Sequence, residues 1–487
     1  MERVVGEFEL GGLGEVLSNR QKDSKPQLCL LRGRENYLSH HSEEVERLRE
    51  RLEGTGKPLS NAEVERFRSR VRDEVRALLA RWLRMENLCV LVGAGASVCC
   101  EGVLGRDLPE KIGQLLEGRE SKKLYSALLD ACGTEGLDFE EFLSYVCAVR
   151  RCLGGSDRSF REGFGVSLGS GPGATKLDAS ELDDLLGDVE AAIAVVCNLR
   201  LGRDDGSGAQ RSPHGSFVGK LLARDPKLGR VKLATTNYDT LFEQAMDRLG
   251  VLYADGFIGT VERYFNPAGF NLDYYYPGEV ATGRVRRYDK FLHLYKLHGS
   301  IRWRRSRVSE ENLYGVTWCG KAMPTMAELG AGDASLEDVF RGHCELPSDG
   351  RVGLAILPTS AKYGETLTMP YSHFFRAFGE ALQEPQTVCM VLGYSGWDRH
   401  INAMIRDALA NPSFTLAIVD PEITTWARGL LDSDRCERVY SLSGEWGRFE
   451  EFVELLPDVE QLRTRLEVAK QLRQLSTDAA VGPVGEE

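Results

Sequence analysis

The stretch Leu88-Cys89-Val90-Leu91-Val92 constrains this chain most: five consecutive apolar residues that stop at Gly93. A strand wetted on one face alternates apolar and polar side chains, so a short unbroken run describes a strand covered on both faces. Similar runs recur at Val231 to Ala234, Phe291 to Leu297, Gly353 to Leu357, Thr387 to Leu392 and Phe414 to Val419. Between several of them the apolar spacing widens to the three-and-four pattern of a helix, at Asp239 to Leu249, Tyr371 to Leu382 and Arg399 to Leu409. Strands alternating with helices predict an α/β fold built on a doubly wound parallel sheet.

Residues 105–230 interrupt this alternation. Helical patterns at Phe139 to Val149 and Leu182 to Val196, the second with Ser180 and Asp183 as a candidate cap, predict an inserted helical module. Gly154 to Ala179 and Gly202 to Ser212 are rich in Gly and Ser and read as loops. Upstream, Val64, Phe67, Val71, Val75, Leu78, Leu79, Trp82 and Leu83 form one helical stripe, and Ser60 with Glu63 supplies a capping box. Residues 1–60 carry no periodicity that selects a fold, and from Val459 the pattern is one helix followed by a polar tail. At 487 residues the chain exceeds a single ordinary core. The expected organisation is an N-terminal extension (1–85, helical from about 61), a Rossmann-like nucleotide-binding domain (86–440, insertion about 105–230) and a C-terminal helical extension (441–487).

With 73 acidic against 61 basic residues the net charge is −12, a balance that disfavours non-specific binding to nucleic acid. The start, Met1 to Glu7, places acidic residues where a secretory signal needs an apolar stretch. The longest apolar stretch, Ala191 to Cys197, is far short of the roughly 20 residues that span a bilayer. The twelve cysteines include no CxxC pair, and several (Cys89, Cys197, Cys389) sit inside apolar runs as small hydrophobes of a reducing compartment. A cytoplasmic protein is expected.

Four motifs follow predicted strands, where a doubly wound sheet places its ligand crevice. Gly93-Ala94-Gly95-Ala96-Ser97 lies after the first, with glycines that would let backbone approach a pyrophosphate or serve a tight turn; the full GxGxxG pattern fails at Val98. Ala234-Thr235-Thr236-Asn237-Tyr238-Asp239 follows the second, and Asn237 reads equally as a helix cap. Tyr295-Lys296-Leu297-His298-Gly299-Ser300, with Trp303 beyond, makes His298 a better candidate base than the other seven histidines. Leu392-Gly393-Tyr394-Ser395-Gly396-Trp397-Asp398 follows the fourth, and Asp420 ends a fifth strand where a carboxylate can accept from ribose hydroxyls.

In this order, GAGAS, TTNYD, KLHGS with a following tryptophan, and GYSGWD, the chain resembles the sirtuin-like family, in particular its bacterial branch associated with phage defence. Asp138 to Ser144, Leu357-Pro358-Thr359 and Lys362 agree, and the resemblance spans roughly residues 86–440. It implies NAD as the bound substrate. Gly93, Ala94, Gly95 and Ser97 would contact it, Asn237 and Asp239 would sit by the nicotinamide ribose, His298 would be catalytic, and Gly393, Ser395 and Asp420 would lie along the rest of the dinucleotide.

The departures are as informative. Protein-deacylating sirtuins resemble one another in a zinc module with two CxxC pairs after the catalytic histidine, whereas only Cys319 and Cys344 lie between Ser300 and Gly353 here. The Asp-Phe-Arg stretch after the glycine loop is also missing; Arg106-Asp107-Leu108-Pro109 stands nearby. The expectation is therefore an NAD hydrolase releasing nicotinamide and ADP-ribose, with His298 and Asn237 catalytic and no metal. Alternatives are a protein deacylase or ADP-ribosyltransferase, and a non-catalytic sensor of NAD or an ADP-ribose-like signal. A nucleic-acid role would lean on Arg284, Arg286, Arg287, Arg302, Arg304, Arg305 and Arg307, which read more simply as a solvated or partner-facing surface. Uncontrolled NAD hydrolysis poisons a cell, so the resemblance further implies gating by homo-oligomerisation or by a partner such as a HerA-type ATPase or an Argonaute-like protein.

Overall fold

The computed structural model describes residues 29–38, 41, 44, 47, 61–132, 139–153, 166–168, 175–202, 212–276, 287–306, 308–310, 312–320, 324–330 and 370–458. The expected strand at Gly353 to Leu357, the helix from Val459, and Ser60, Cys344, Lys362, Arg284, Arg286 and Arg307 lie outside the described residues.

Fifteen strands are present among the described residues: β1 (Cys29–Arg32), β2 (Glu35–Asn36), β3 (Asn87–Val92), β4 (Ser167–Leu168), β5 (Thr175–Lys176), β6 (Lys232–Thr235), β7 (Leu252–Ala254), β8 (Phe257–Ile258), β9 (Arg263–Phe265), β10 (Phe291–Lys296), β11 (Trp303–Arg305), β12 (Val316–Trp318), β13 (Thr387–Leu392), β14 (Thr415–Val419) and β15 (Val439–Ser443). Nine of them form one sheet in the order β2-β1-β15-β14-β13-β3-β6-β10-β7. From β15 to β7 every neighbouring pair is parallel. The chain leaves β3 toward β6 on one side and returns to β13 on the other, so the order reverses at the β3–β13 boundary. This is the doubly wound architecture that the apolar runs predict, and a crevice opens beyond the strand ends at such a reversal.

Alternation inside the strands shows why the runs are continuous. Leu88, Val90 and Val92 of β3, with Val388, Met390 and Leu392 of β13, enter the core on one face. Cys89 and Leu91, with Cys389 and Val391, enter the core on the other. Each such buried aliphatic side chain contributes about 1.5–3 kcal/mol relative to an exposed one. The first face is covered by helix α1 (Asn61–Trp82), through Phe67, Val71, Val75, Leu78, Leu79 and Trp82. The helices Pro213–Leu222, Leu241–Leu249 and Phe449–Leu455 complete that layer. Helices Tyr371–Gln383, Arg399–Ala408 and Thr425–Leu431 cover the second face.

The expected insertion is a helical cluster with its own core. It comprises α2 (Leu108–Leu115), α3 (Ser121–Cys132), α4 (Phe139–Leu153) and α5 (Ala179–Val196). Ile301 and Tyr238 join that core, so the module rests on the loops after β10 and β6. Later helices are α6 (Pro213–Leu222), α7 (Leu241–Leu249), α8 (Met326–Gly330), α9 (Tyr371–Gln383), α10 (Arg399–Ala408), α11 (Thr425–Leu431) and α12 (Phe449–Leu455). The cap of α5 is Asp178, which accepts from the Ser180 amide at 2.8 Å, two residues earlier than expected. Asp183 instead forms a two-pronged ion pair with Arg150 of α4, at 2.5 and 2.7 Å.

Several elements have no counterpart in the sequence reading, among them β7, β15 and the β4–β5 pair inside a stretch read as a loop. Residues 29–36 supply a hairpin that pairs antiparallel with β15 and covers that edge of the sheet. Strands from both sides of β10, β8 and β9 before it and β11 and β12 after it, form a small antiparallel sheet in the order β11-β12-β9-β8, packed around aromatic rings. Trp303 lies against Phe257 at 5.2 Å and stacks on Phe374 at 5.0 Å, and Phe265 meets Phe374 and Tyr314 at 5.2 Å each. The arginine cluster is not one solvated face. Arg304 is buried, with Nη1 donating to the Ile301 and Trp303 carbonyls at 2.8 Å, and Arg287 pairs with Asp273 at 3.5 Å. Among the described residues no helix is long and apolar enough to cross a membrane.

Candidate functional site

The ends of β3, β6, β10 and β13 deliver their loops to one edge. Gly93 opens a seven-residue 3-10 helix, Ala94–Cys100, rather than an α-helix. The loop is sewn to the one after β13: the Gly93 amide donates to the Leu392 carbonyl (2.9 Å), and the Gly95 amide donates to the Gly393 carbonyl (3.0 Å). A Cβ on Gly93 would lie 2.5 Å from the Gly393 oxygen, and one on Gly95 would lie 2.8 Å from the Gly393 Cα. Gly393 itself has φ of 57°, in the left-handed region. These glycines are therefore required by the protein's own loop-to-loop contact, before any ligand is considered. Their amides are already engaged, so a pyrophosphate would gain from their missing side chains rather than from their N–H groups.

Behind this loop the buried side chains of Ser97, Asn237 and Asp239 form one network. Ser97 Oγ donates to Asp239 Oδ2 at 2.7 Å. Asn237 Nδ2 donates to the Gly93 carbonyl at 3.0 Å and to Ser97 Oγ at 2.9 Å. Both amide protons of Asn237 are thus consumed in holding the glycine loop, which leaves its carbonyl oxygen as the acceptor for a ligand. Asn237 does not cap α7; the N-cap is Thr240, without a side-chain cap, and Asp239 just before it accepts from the Leu241 amide at 3.0 Å. Lys296 lies beneath, almost fully buried, donating to the Asp239 carbonyl and pairing with Glu243 at 3.1 Å. Burial raises the Glu243 carboxyl above its ordinary pKa, with Lys296 opposing that shift.

His298 follows β10 and is buried, and Gly299 beside it turns with φ of 88°. Its Nε2 lies 2.9 Å from Asp398 Oδ2. The other carboxylate oxygen of Asp398 accepts from the His400 and Ile401 amides, at 2.9 and 3.1 Å, as the N-cap of α10. A carboxylate can only accept, so the neutral imidazole keeps its proton on Nε2 and presents a lone pair at Nδ1. The Tyr394 hydroxyl reaches the Asp398 carbonyl at 3.2 Å and Asn402 Oδ1 at 3.1 Å, which steadies the same loop. The Ile301 amide donates to the Tyr238 carbonyl at 3.0 Å and ties the His298 loop to the Asn237 loop.

One hydrogen-bonded unit thus holds Gly93, Gly95, Ser97, Asn237, Asp239 and Gly393, and Ala94 rides on it half-buried. His298 stands on the adjacent strand with Asp398, a residue whose cap position is readable from sequence but whose pairing across 100 residues is not. Ser395 is exposed in the same loop as Gly393. Asp420 ends β14 at the same edge, and the Gly393 amide donates to the Val419 carbonyl beside it at 3.0 Å. Asp420 accepts from the Glu422 amide at 3.0 Å, and burial pushes its pKa up to about 6. Cys319 follows β12, and the aromatic packing of Trp303, Phe257 and Phe265 consolidates this segment.

This edge, beyond the carboxyl ends of the strands at the order reversal, is where doubly wound α/β proteins place their ligand sites. The family profile described as SIR2-like domain matches residues 231–326, roughly a fifth of the chain, and that segment carries Asn237, Asp239 and His298. Among solved structures the chain is similar to two mutants of a Sir2 homologue, each in complex with ADP-ribose. Both are 14% identical, and each alignment covers 80% of this chain and 97% of that one, with TM-scores of 0.36 and 0.33. No curated protein matches in sequence.

Proposed function

We propose that this chain hydrolyses NAD to nicotinamide and ADP-ribose. The observation that carries the reading is the pairing of a histidine base, oriented by Asp398, with the Ser97–Asn237–Asp239 network at the strand-order reversal. The SIR2-like match over the segment containing Asn237 and His298 supports it. In this reading the pyrophosphate lies against Gly93, Ala94 and Gly95. The nicotinamide ribose sits by Asn237 and Asp239, and Ser395, Gly393 and Asp420 border the remainder. Water adds its oxygen to C1′ as the C1′–N1 bond breaks. The bonding pair goes to the ring nitrogen and cancels its positive charge, and the water proton goes to His298 Nδ1. Asn237 Oδ1 would accept from the attacking water or a ribose hydroxyl. Positioning and stabilisation of an oxocarbenium-like state supply the rate, as in other glycosidic cleavages.

The biological role proposed with it is a gated effector that depletes NAD during phage infection. Control would come through homo-oligomerisation or through a HerA-type ATPase or Argonaute-like partner. The test is nicotinamide release from NAD by the purified chain without any acyl peptide, alone and with the product of a neighbouring gene. Removal of a general base costs about a hundred- to ten-thousandfold, so His298→Ala should fall by that factor with an unchanged melting curve. Nicotinamide release that requires an acyl-lysine peptide would overturn hydrolysis as the activity.

A further inference from the structure

The 3-10 helix that begins at the glycine loop ends in adjacent cysteines, Cys99 and Cys100. They differ from Cys89 and Cys389, which are sealed in the core: Cys99 is exposed and Cys100 half-buried. Facing them is His214, in the first turn of α6, with no exposed surface. Its ring is gripped by Phe242 at 4.9 Å and Phe449 at 5.0 Å, so its orientation is set by packing.

We propose that Cys99, Cys100 and His214 form a site for a soft d10 cation, zinc or cuprous copper. The sulfurs of Cys99 and Cys100 are 4.0 Å apart, and Cys100 Sγ is 3.9 Å from His214 Nδ1. All three donor atoms lie within 4.8 Å of one another. Bond lengths of about 2.3 Å to sulfur and 2.0 Å to nitrogen, at tetrahedral angles, put two sulfurs about 3.8 Å apart and sulfur and nitrogen about 3.5 Å apart. Two of the three separations therefore need contract by only a few tenths of an ångström, and the third, which is within 4.8 Å, by at most about 1.3 Å, to close the donors around an ion with one position left open to solvent.

The imidazole supplies an independent reason. Nε2 of His214 has no hydrogen-bond partner among the described residues, and Nδ1 has only a sulfur at the outer limit of such contact. A polar ring so deeply buried and so poorly satisfied is uncommon in a finished core. A metal at Nδ1 would satisfy the nitrogen that faces the sulfurs, whose only partner is Cys100 Sγ at 3.9 Å. Glu450 acts on Cys99 and Asp239 acts on Cys100, adding negative charge that favours a cation.

Ser97 lies on the same 3-10 helix, so an occupied site would also stiffen the glycine loop; that corollary rests on the proposed NAD site, whereas the metal site does not. The experiment uses the full chain, reduced and stripped of metal. Cobalt(II) should bind at one per chain with a thiolate-to-cobalt charge-transfer band and tetrahedral d–d bands, and zinc should displace it. In a second arm, cuprous ion is titrated against a chromophoric chelator. Cys100→Ser should weaken binding by at least the about 10- to 100-fold that a change in outer-shell support costs, while exposed Cys152→Ser should leave it unchanged. The Cys99→Ser/Cys100→Ser double variant should abolish it, and neither residue needs the buried ring to be disturbed. Binding of neither metal, binding that survives the double variant, or conversion of the pair to a disulfide without metal uptake would overturn the proposal. These spectra are read without NAD, so they stand or fall apart from hydrolysis.

Discussion

Asp398→Asn isolates what the carboxylate does for His298. In the protein Oδ1 caps α10 and Oδ2 faces His298 Nε2. Asparagine keeps a carbonyl oxygen for the cap, whose loss in an alanine variant would cost about 0.5–2 kcal/mol. The amide nitrogen then stands where Oδ2 was and offers a hydrogen. Facing a donor, His298 must turn Nε2 into an acceptor, which moves the ring proton to Nδ1 and removes the lone pair that the proposed mechanism uses as base. The loss should match removal of the base, about a hundred- to ten-thousandfold in nicotinamide release. Melting should change little, because the cap survives. Nitrogen-15 NMR of the His298 ring should report an Nε2–H tautomer in the parent and Nδ1–H in the variant. Asp398→Ala should lose both activity and helix stability. If Asp398→Asn retained parental turnover, or changed the rate with no change of tautomer, the assignment of Nδ1 as the base would fail.

The other expectations concern the scaffold. Gly95→Ala drives a Cβ to within 2.8 Å of the Gly393 backbone, so it should cost about 1–3 kcal/mol by calorimetric melting and weaken NAD binding with it. A stable Gly95→Ala protein would contradict the loop contact. Lys296→Met leaves Glu243 without its buried partner and should destabilise by about 3–5 kcal/mol, whereas replacing Lys296 and Glu243 together by apolar residues should recover much of that in denaturant titrations. Asp420 has its folded pKa raised from 3.8 to about 6, so its charge opposes folding, with no penalty below the unfolded value and a full one above pH 6. Asp420→Asn should therefore stabilise the protein by about 1–2 kcal/mol at pH 8, after allowing for partial exposure, and by little at pH 4. Equal effects at both pH values would refute the burial of that charge.

Five of the seven parallel strands are legible because double-sided burial leaves a continuous apolar run, as in Leu88–Val92 and Thr387–Leu392, whereas β7, three residues long, and β15, interrupted by Tyr440, Ser441 and Ser443, leave none. The hairpin Cys29–Asn36 leaves none: its strands are four and two residues long and carry Arg32 and Glu35, as an edge permits. Strands β8, β9, β11 and β12 span two or three residues each, too few for a period to show. At the candidate site the glycines of the first loop stand out, yet nothing local reveals that Gly393 is what they face. Asp398 is similar, with one oxygen doing a local job and the other reaching a histidine from a different strand.

The antiparallel join of β1 to β15 sets a timetable for the growing chain. Cys29 pairs with Ser443, so the first strand leaves the ribosome roughly 400 residues before its partner exists. At about 5–20 residues per second that wait is on the order of 20–80 s. Throughout it β1 offers unpaired amides toward that partner, and only near its end can β3, β6, β10 and β13 bring Gly93, Asn237, His298 and Asp398 to one edge. The segments β1 and β15 are thus late to meet, and truncation before Val439 would leave the candidate site residues encoded in full while exposing the β14 edge to pairing with other chains.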